Sequence, residues 1–295
     1  MIENKNKRGL WITTFIIVII FWLFLGSTII NLYANIIYSI DTNQIFFNSI
    51  IYNYIGVNLP FLCITLGFYF SFKYINKIHI VELINSSTKI DKPLFFKTLL
   101  VSLGYFILIT IIGSLFNLYE LKTIETTFTN RILFILLAII FTPIQVLAEE
   151  VLFRSIIIKM IIKNYDALKN RKLIYSVLFS FIVGFIFIIP HLSNPEISTN
   201  FISAILYYFI FGSFATFSIL ISNGLEIPIA IHLANNLLIA LFCNYENSAL
   251  PSFSLFLRIN ESSFSKYYEV ITLILLFIII GIHNKLKIVK YCDKD

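Results

Sequence analysis

The sequence predicts an all-α, polytopic integral membrane protein with about eight transmembrane helices, and three observations lead there. The 295 residues are 58% hydrophobic and only 13% charged, a balance outside that of soluble globular chains. Apolar runs of the roughly 20 residues needed to cross a hydrocarbon core recur along almost the whole chain and leave no room for a separate soluble domain. These runs are continuous in Ile, Leu, Phe and Val and do not alternate with period two. Their backbone groups must therefore be satisfied within each segment, which calls for helices and excludes a barrel.

The predicted spans are 10–30, 50–72, 94–116, 131–158, 173–190, 200–222, 226–243 and 267–283. The first follows Lys5, Lys7 and Arg8, as a signal peptide would. Its apolar stretch is too long for one and no small-x-small cleavage site follows, so a retained first helix is expected. The loop after the second span carries Lys73, Lys77, Lys89 and Lys92, and the loop after the fourth carries Lys159, Lys163, Lys169, Arg171 and Lys172. Lys285, Lys287, Lys290 and Lys294 follow the last span. The alternate loops are poor in basic residues: the third holds Lys122 beside Arg131, and the seventh holds Arg258 and Lys266. Because translocating Lys and Arg is disfavoured, both termini are expected in the cytoplasm. The longest noncytoplasmic loop, 244–266, with Pro251 and several serines, is expected to form a partial lid.

The net charge of +6 is accounted for by these loops. Basic residues spread over helix ends make no stripe with interleaved stacking aromatics, so nucleic acid is not an expected partner. Cys63, Cys243 and Cys292 show no CxxC spacing, and neither a disulfide framework nor a zinc knuckle follows from them. The terminal "CDKD" lacks the aliphatic residues of a prenylation signal. The richness in Ile, Asn, Lys and Phe fits an AT-rich bacterial genome, and a bacterial cell membrane is the expected location.

Ionisable side chains within a bilayer cost on the order of 2.5–3.5 kcal/mol each on insertion scales and mark cavities or partners. The deep ones here are Glu149, Glu150, Arg154, His191 and His232. Glu150 and Arg154 are four apart on one helical face, with the acid N-terminal to the base, the better orientation for a pair. Read as pure structure, that pair locks two helices together. Glu149 lies about 100° around the helix from Glu150, cannot share that pairing easily, and has Gln145 one turn before it on its own face. His191 closes "FIFIIPHLSNP" with Phe187 one turn earlier, and His232 opens "HLANN" with Asn236 one turn later. A single membrane histidine reads first as a helix contact; the set of Glu149, His191, His232 and Asn236 reads as chemistry.

Two chemistries use such a set. A carboxylate and an imidazole polarise a water for attack on a carbonyl, while a second imidazole and an amide stabilise the oxyanion. Alternatively, Glu149, His191 and His232 hold zinc, which activates the water itself; the helical HExxH arrangement is absent.

Together "EEVLFR" as EExxxR, "FIIPH" as FxxxH and "HLANN" as HxxxN, in that order on successive helices, resemble the CPBP family of intramembrane endopeptidases. That family includes type II CAAX prenyl endopeptidases and bacterial Abi and bacteriocin-immunity proteins. The resemblance covers residues 131–243 as a catalytic core, with 1–130 as an N-terminal three-helix portion of a single membrane domain, 1–295. It implies Glu149 as general base acting with His191 on a water, and His232 with Asn236 as the oxyanion site. Glu150, Arg154 and Phe187 would support them, and no cofactor would be required, zinc being the alternative. The implied partners are the bilayer and a membrane-associated or lipidated peptide or protein, cut near the cytoplasmic half of the membrane.

Two features depart from that pattern. Ser155 stands where many relatives have glycine, a small change. If the hairpin after the fourth helix turns near residue 167, Glu149 and His191 differ in depth by roughly 9 Å at helical rise, unless a kink at Pro143, Gly184 or Pro190 closes the gap. Two other functions compete with peptidase: a noncatalytic scaffold or self-immunity protein, and a proton-coupled transporter, for which no inverted repeat is visible.

Overall fold

The computed structural model describes residues 3–41, 45–46, 49–85, 89–161 and 173–284. Lys163, Lys169, Arg171, Lys172, the lysines after residue 284 and Cys292 lie outside the described residues. So does the turn near residue 167.

Among the described residues, seven helices are long and apolar enough to cross a membrane: α1 Arg8–Ile40, α2 Ile50–Asn76, α4 Lys92–Leu115, α5 Phe128–Ile161, α6 Leu173–His191, α7 Pro195–Ser222 and α9 Ser265–His283. An eighth apolar helix, α8 Glu226–Phe242, is shorter, and α3 Val81–Ile84 is a single turn. The expected count of eight thus becomes seven long spans and one short helix. Only Asn223, Gly224 and Leu225 separate α7 from α8, and α8 stops where the chain turns into a strand. The predicted spans otherwise end within a few residues of these helices. The main exception is α1, which continues through the apolar "NLYANIIYSI" to Ile40.

Local sequence sets several of the boundaries. Ser49 Oγ accepts from the Tyr52 N–H at the start of α2, Asp91 accepts from Leu94 N–H ahead of Pro93 in α4, and Thr127 accepts from Asn130 N–H before α5. Each side chain satisfies a donor that the first helical turn leaves free. α7 ends at Asn223 in the left-handed region, φ 66°, a conformation that Asn tolerates better than most residues.

The helical class holds, with one addition. The loops that the charge pattern leaves poor in Lys and Arg contribute a small sheet in the order β1 (Glu120–Thr123), β3 (Phe256–Ile259), β2 (Cys243–Tyr245). β1 runs antiparallel to β3, from Glu120 opposite Ile259 to Thr123 opposite Phe256, and β2 runs parallel to β3. Arg131 ties this end together, with Nη2 donating to the Ile124 carbonyl at 2.7 Å and Nη1 to that of Phe253 at 3.2 Å. Arg258 pairs with Glu261 at 3.4 Å and with Glu269, and its guanidinium lies over the Tyr119 and Tyr245 rings. Burial opposes the Arg258 charge, but Glu269 and Glu261 more than offset it and hold the guanidinium above its ordinary value.

The main core joins Phe68, Leu152, Ile156, Phe187, Ile219 and Leu276 across most of the bundle. Facing outward, Phe24, Leu100 and Phe185 are more than half exposed, as lipid-facing side chains are. α6 and α7 approach each other closely at a pair of glycines. A Cβ on Gly212 of α7 would lie 2.9 Å from the Gly184 Cα of α6 and 3.0 Å from the Phe187 Cβ. Small residues let two membrane helices meet backbone to backbone, and here they bring the rings of Phe187 and Phe211 to a centroid distance of 5.6 Å.

Candidate active site

The deep charges meet where α5, α6 and α8 converge. After Glu150 the hydrogen-bond ladder of α5 widens into a π-helical segment, Val151–Ile156, a distortion often found at functional sites. All six residues of that segment are buried. Ser155 Oγ donates to the Leu83 carbonyl at 2.9 Å, so the serine ties α5 to α3.

Arg154 Nη1 lies 2.6 Å from Glu150 Oε1, and both side chains are fully buried. The same Glu150 oxygen accepts from His232 Nδ1 at 2.7 Å. One carboxylate oxygen therefore serves a guanidinium on its own helix and an imidazole on α8. The guanidinium also lies 4.4 Å from the centroid of the Phe187 ring and 5.1 Å from that of Phe211. Aromatic faces attract a desolvated cation, and these two rings cover parts of Arg154 that Glu150 does not reach.

Glu149 faces elsewhere. Gln145 Nε2 donates to its Oε1 at 3.3 Å, the partner that helical spacing predicts. Its other oxygen, Oε2, is buried without a hydrogen-bond partner among the described residues. That oxygen stands 3.8 Å from His191 Nε2 and 3.9 Å from His232 Nε2. His191 belongs to the 3₁₀ turn that ends α6, Ile189–His191, with Pro190 inside it. Its Nδ1–H donates to the Phe187 carbonyl at 2.7 Å, which leaves the Nε2 lone pair of the neutral ring free to face Glu149. The expected 9 Å offset in depth does not separate the two residues. The turn from which it was reckoned lies outside the described residues.

Asn236, one turn after His232, is buried, and its Oδ1 accepts from Asn235 Nδ2 at 3.1 Å. Tyr207 in turn donates to Asn235 Oδ1 at 3.0 Å. Phe187 packs on His191 at a centroid distance of 4.6 Å. The predicted residues thus divide between a set facing one cavity (Glu149, His191, His232 and Asn236, with Phe187 behind them) and the Glu150–Arg154 pair, which lies outside the lining.

Sequence reading missed the outer side of His191. Tyr208 stacks on it at 4.1 Å between centroids, Tyr208 donates to Glu196 Oε1, and Asn194 Nδ2 donates to Tyr208 Oη at 2.9 Å. Tyr208 carries no motif. Glu196, beside Pro195 at the start of α7, reads as an ordinary first-turn acid, and its place just ahead of the predicted span 200–222 gives no stronger signal.

The cavity has a volume of about 410 Å³. It runs from Glu149 and His232 past Tyr208 to the strands and the loop that follows β2. None of the residues lining it comes from the lysine-rich loops.

The donor set is more widely spaced than zinc ligands. Ligands of a tetrahedral zinc at about 2.1 Å stand roughly 3.4 Å apart, whereas Glu149 Oε2 is 3.8 and 3.9 Å from the two imidazole nitrogens. Among the described residues, no group of three or more His, Cys, Asp or Glu side chains is arranged to hold a metal ion.

Comparison with known proteins converges on the same helices. Residues 128–238 match the family described as type II CAAX prenyl endopeptidase Rce1-like, a range that holds Glu149, His191, His232 and Asn236. The uncharacterized protein YyaK of Bacillus subtilis (strain 168) is 28% identical over 153 residues, 51% of this chain and 48% of that protein. The chain thus spans about half the length of this curated relative. No solved structure matches.

Proposed function

We propose that the chain, whose residues 128–238 match the type II CAAX prenyl endopeptidase Rce1-like family, is an intramembrane endopeptidase acting on a membrane-associated or lipidated peptide. The observation that carries the proposal is Glu149 Oε2, without a hydrogen-bond partner among the described residues and flanked by two imidazole nitrogens at 3.8 and 3.9 Å. Two groups at that separation each reach a common water at about 2.8 Å. The water donates one hydrogen to Glu149 and the other to His191 Nε2, which turns its lone pair toward the substrate carbonyl.

As the water oxygen bonds to the carbonyl carbon, Glu149 takes the proton and later delivers it to the departing amine. The carbonyl oxygen gains the negative charge. Asn236 is oriented to meet it, because its Oδ1 is engaged by Asn235 and its NH₂ remains as donor. His232, held through Nδ1 by Glu150, turns its Nε2 toward the same point as Glu149 Oε2 and completes the polar wall of the site. Arg154 keeps Glu150 in place. We propose that this chemistry needs no resident metal, a reading that the donor spacing supports.

The disfavoured translocation of Lys and Arg supports an orientation with the lysine-rich ends of α2, α4 and α5 and both termini in the cytoplasm. In that orientation the cavity extends from Glu149 and His232, in the halves of α5 and α8 nearer the lysine-rich loops, to the sheet and the loop after β2 at the other end of the bundle. On this reading the substrate enters from the noncytoplasmic side and is cut at the depth of Glu149. A bacterial cell membrane is the proposed location.

The test compares membrane and secreted peptides from cells carrying the wild type or Glu149→Ala at matched expression, with metal analysis of the purified protein. A product that vanishes in the variant supports the peptidase and identifies the substrate. A phenotype fully retained by Glu149→Ala, with no peptide changed, favours a scaffold or self-immunity protein instead.

A further inference from the structure

Beyond the Glu149 cluster, the charged residues lining the cavity are Glu196, Glu246, Glu261, Glu269, Arg258 and Lys266, four carboxylates against two cations. The cations have partners: Arg258 pairs with Glu261 and Glu269, and Lys266 donates to Asn200 Oδ1. Glu196 differs from the other acids. Its side chain is more than nine-tenths buried, its Oε1 accepts from Tyr208 and Asn194, and its Oε2 is buried with no hydrogen-bond partner among the described residues. A carboxylate oxygen without donors is costly away from water, and this one belongs to a cavity-lining residue one tyrosine ring beyond His191.

We propose that Glu196 is a subsite for a basic side chain of the peptide substrate, a lysine or arginine a short distance along the chain from the bond that is cut. The inference rests on the peptidase reading. The surplus of carboxylates attracts a cation into the vestibule. Glu196 Oε2 then receives it as a charge-assisted hydrogen bond, while Tyr208 and Asn194 hold Oε1 and fix the direction of the carboxylate. Because Tyr208 also stacks on His191, the subsite keeps a set distance from the reacting water, and the basic residue sets the register of the peptide.

The test uses the full chain in liposomes and a synthetic peptide series in which one lysine is moved along an otherwise uncharged sequence, with norleucine and glutamate versions of each. Cleavage is followed by mass spectrometry. In parallel, binding of the fluorescent peptides is measured on Glu149→Ala, which separates occupancy from turnover. The expected result is a preference of about tenfold or more for lysine at one position. Glu196→Gln abolishes it while cleavage of the norleucine peptide continues, and Glu196→Lys shifts the preference to glutamate. Equal handling of lysine, norleucine and glutamate peptides by the wild type, a comparison that needs no variant, overturns the subsite and leaves the peptidase standing. So does a lysine preference unchanged in Glu196→Gln. Should the wild type cut nothing while lysine-dependent binding is still lost in Glu196→Gln, the subsite stands and the peptidase reading fails.

Discussion

The guanidinium of Arg154 lies 4.4 Å from the centroid of the Phe187 ring, and the same ring packs on His191, 4.6 Å away between centroids. Phe187 thus separates a structural cation from a residue of the cavity and orients both. Phe187→Leu keeps an apolar side chain but removes the π face and part of the volume. Turnover is expected to fall at least about tenfold and the melting temperature to drop, as for a core truncation costing about 1–3 kcal/mol. A turnover assay with a thermal melt of the detergent-solubilised protein checks both.

The two adjacent glutamates are expected to respond differently to the same substitution. Glu149→Gln removes the proposed general base and is expected to lower turnover by about 10²-fold or more, while the melting temperature changes little because Oε2 has no protein partner among the described residues. Glu150→Gln removes the charge that Arg154 and His232 share and leaves a buried cation uncompensated, a loss of about 3–5 kcal/mol. Expression level and melting temperature of the two variants, measured side by side, separate these outcomes. A more severe loss of stability in Glu149→Gln would reverse the assignment.

Asn236→Ala deletes an NH₂ that, in the proposed mechanism, acts only when charge develops on the carbonyl oxygen. It is expected to lower kcat by about 10²–10³ and to leave KM nearly unchanged. A rise in KM at constant kcat would make Asn236 a binding residue.

Gly212→Ala places a methyl group 2.9 Å from the Gly184 Cα. Backbone cannot yield as a side-chain tip does, so α6 and α7 must part, and the rings around Arg154 move with them. Loss of turnover together with a lower melting temperature is expected, and thermal melts of Gly212→Ala beside the wild type read it.

The direction of loading is open to chemical labelling. Ser248 lines the cavity near the sheet. In a background where Cys63, Cys243 and Cys292 are replaced by serine, Ser248→Cys is expected to react with a membrane-impermeant thiol reagent added outside intact cells. Protection of that cysteine until the cells are opened would place the cavity mouth in the cytoplasm.

Much of the fold and half of the site could be read from the chain alone. A stretch of apolar residues in a bilayer has a single low-energy backbone solution, so span positions follow from composition, and Glu150 with Arg154 follows from helical spacing on one segment. The sheet was not legible. Its strands of three or four residues come from loops far apart in sequence, and neither "ELKT" nor "CNY" has a pattern strong enough to call for a partner. Glu196 and Tyr208 escaped for a similar reason, since their meaning lies in contacts with His191 that no spacing records.

By itself, then, the sequence determined a multi-pass helical membrane protein, the pairing of Glu150 with Arg154, the Gln145 contact of Glu149 and the motifs that tie residues 128–238 to a family. Local hydrogen bonding and hydrophobic length act over one helix and can be read from one. The tertiary structure decided that Glu149 Oε2 stands between two histidines from two other helices, that a single Glu150 oxygen serves both Arg154 and His232, and that Glu196 lies on the same cavity. Those relations depend on how closely α6, α7 and α8 approach α5, which is fixed by packing between segments distant in the chain.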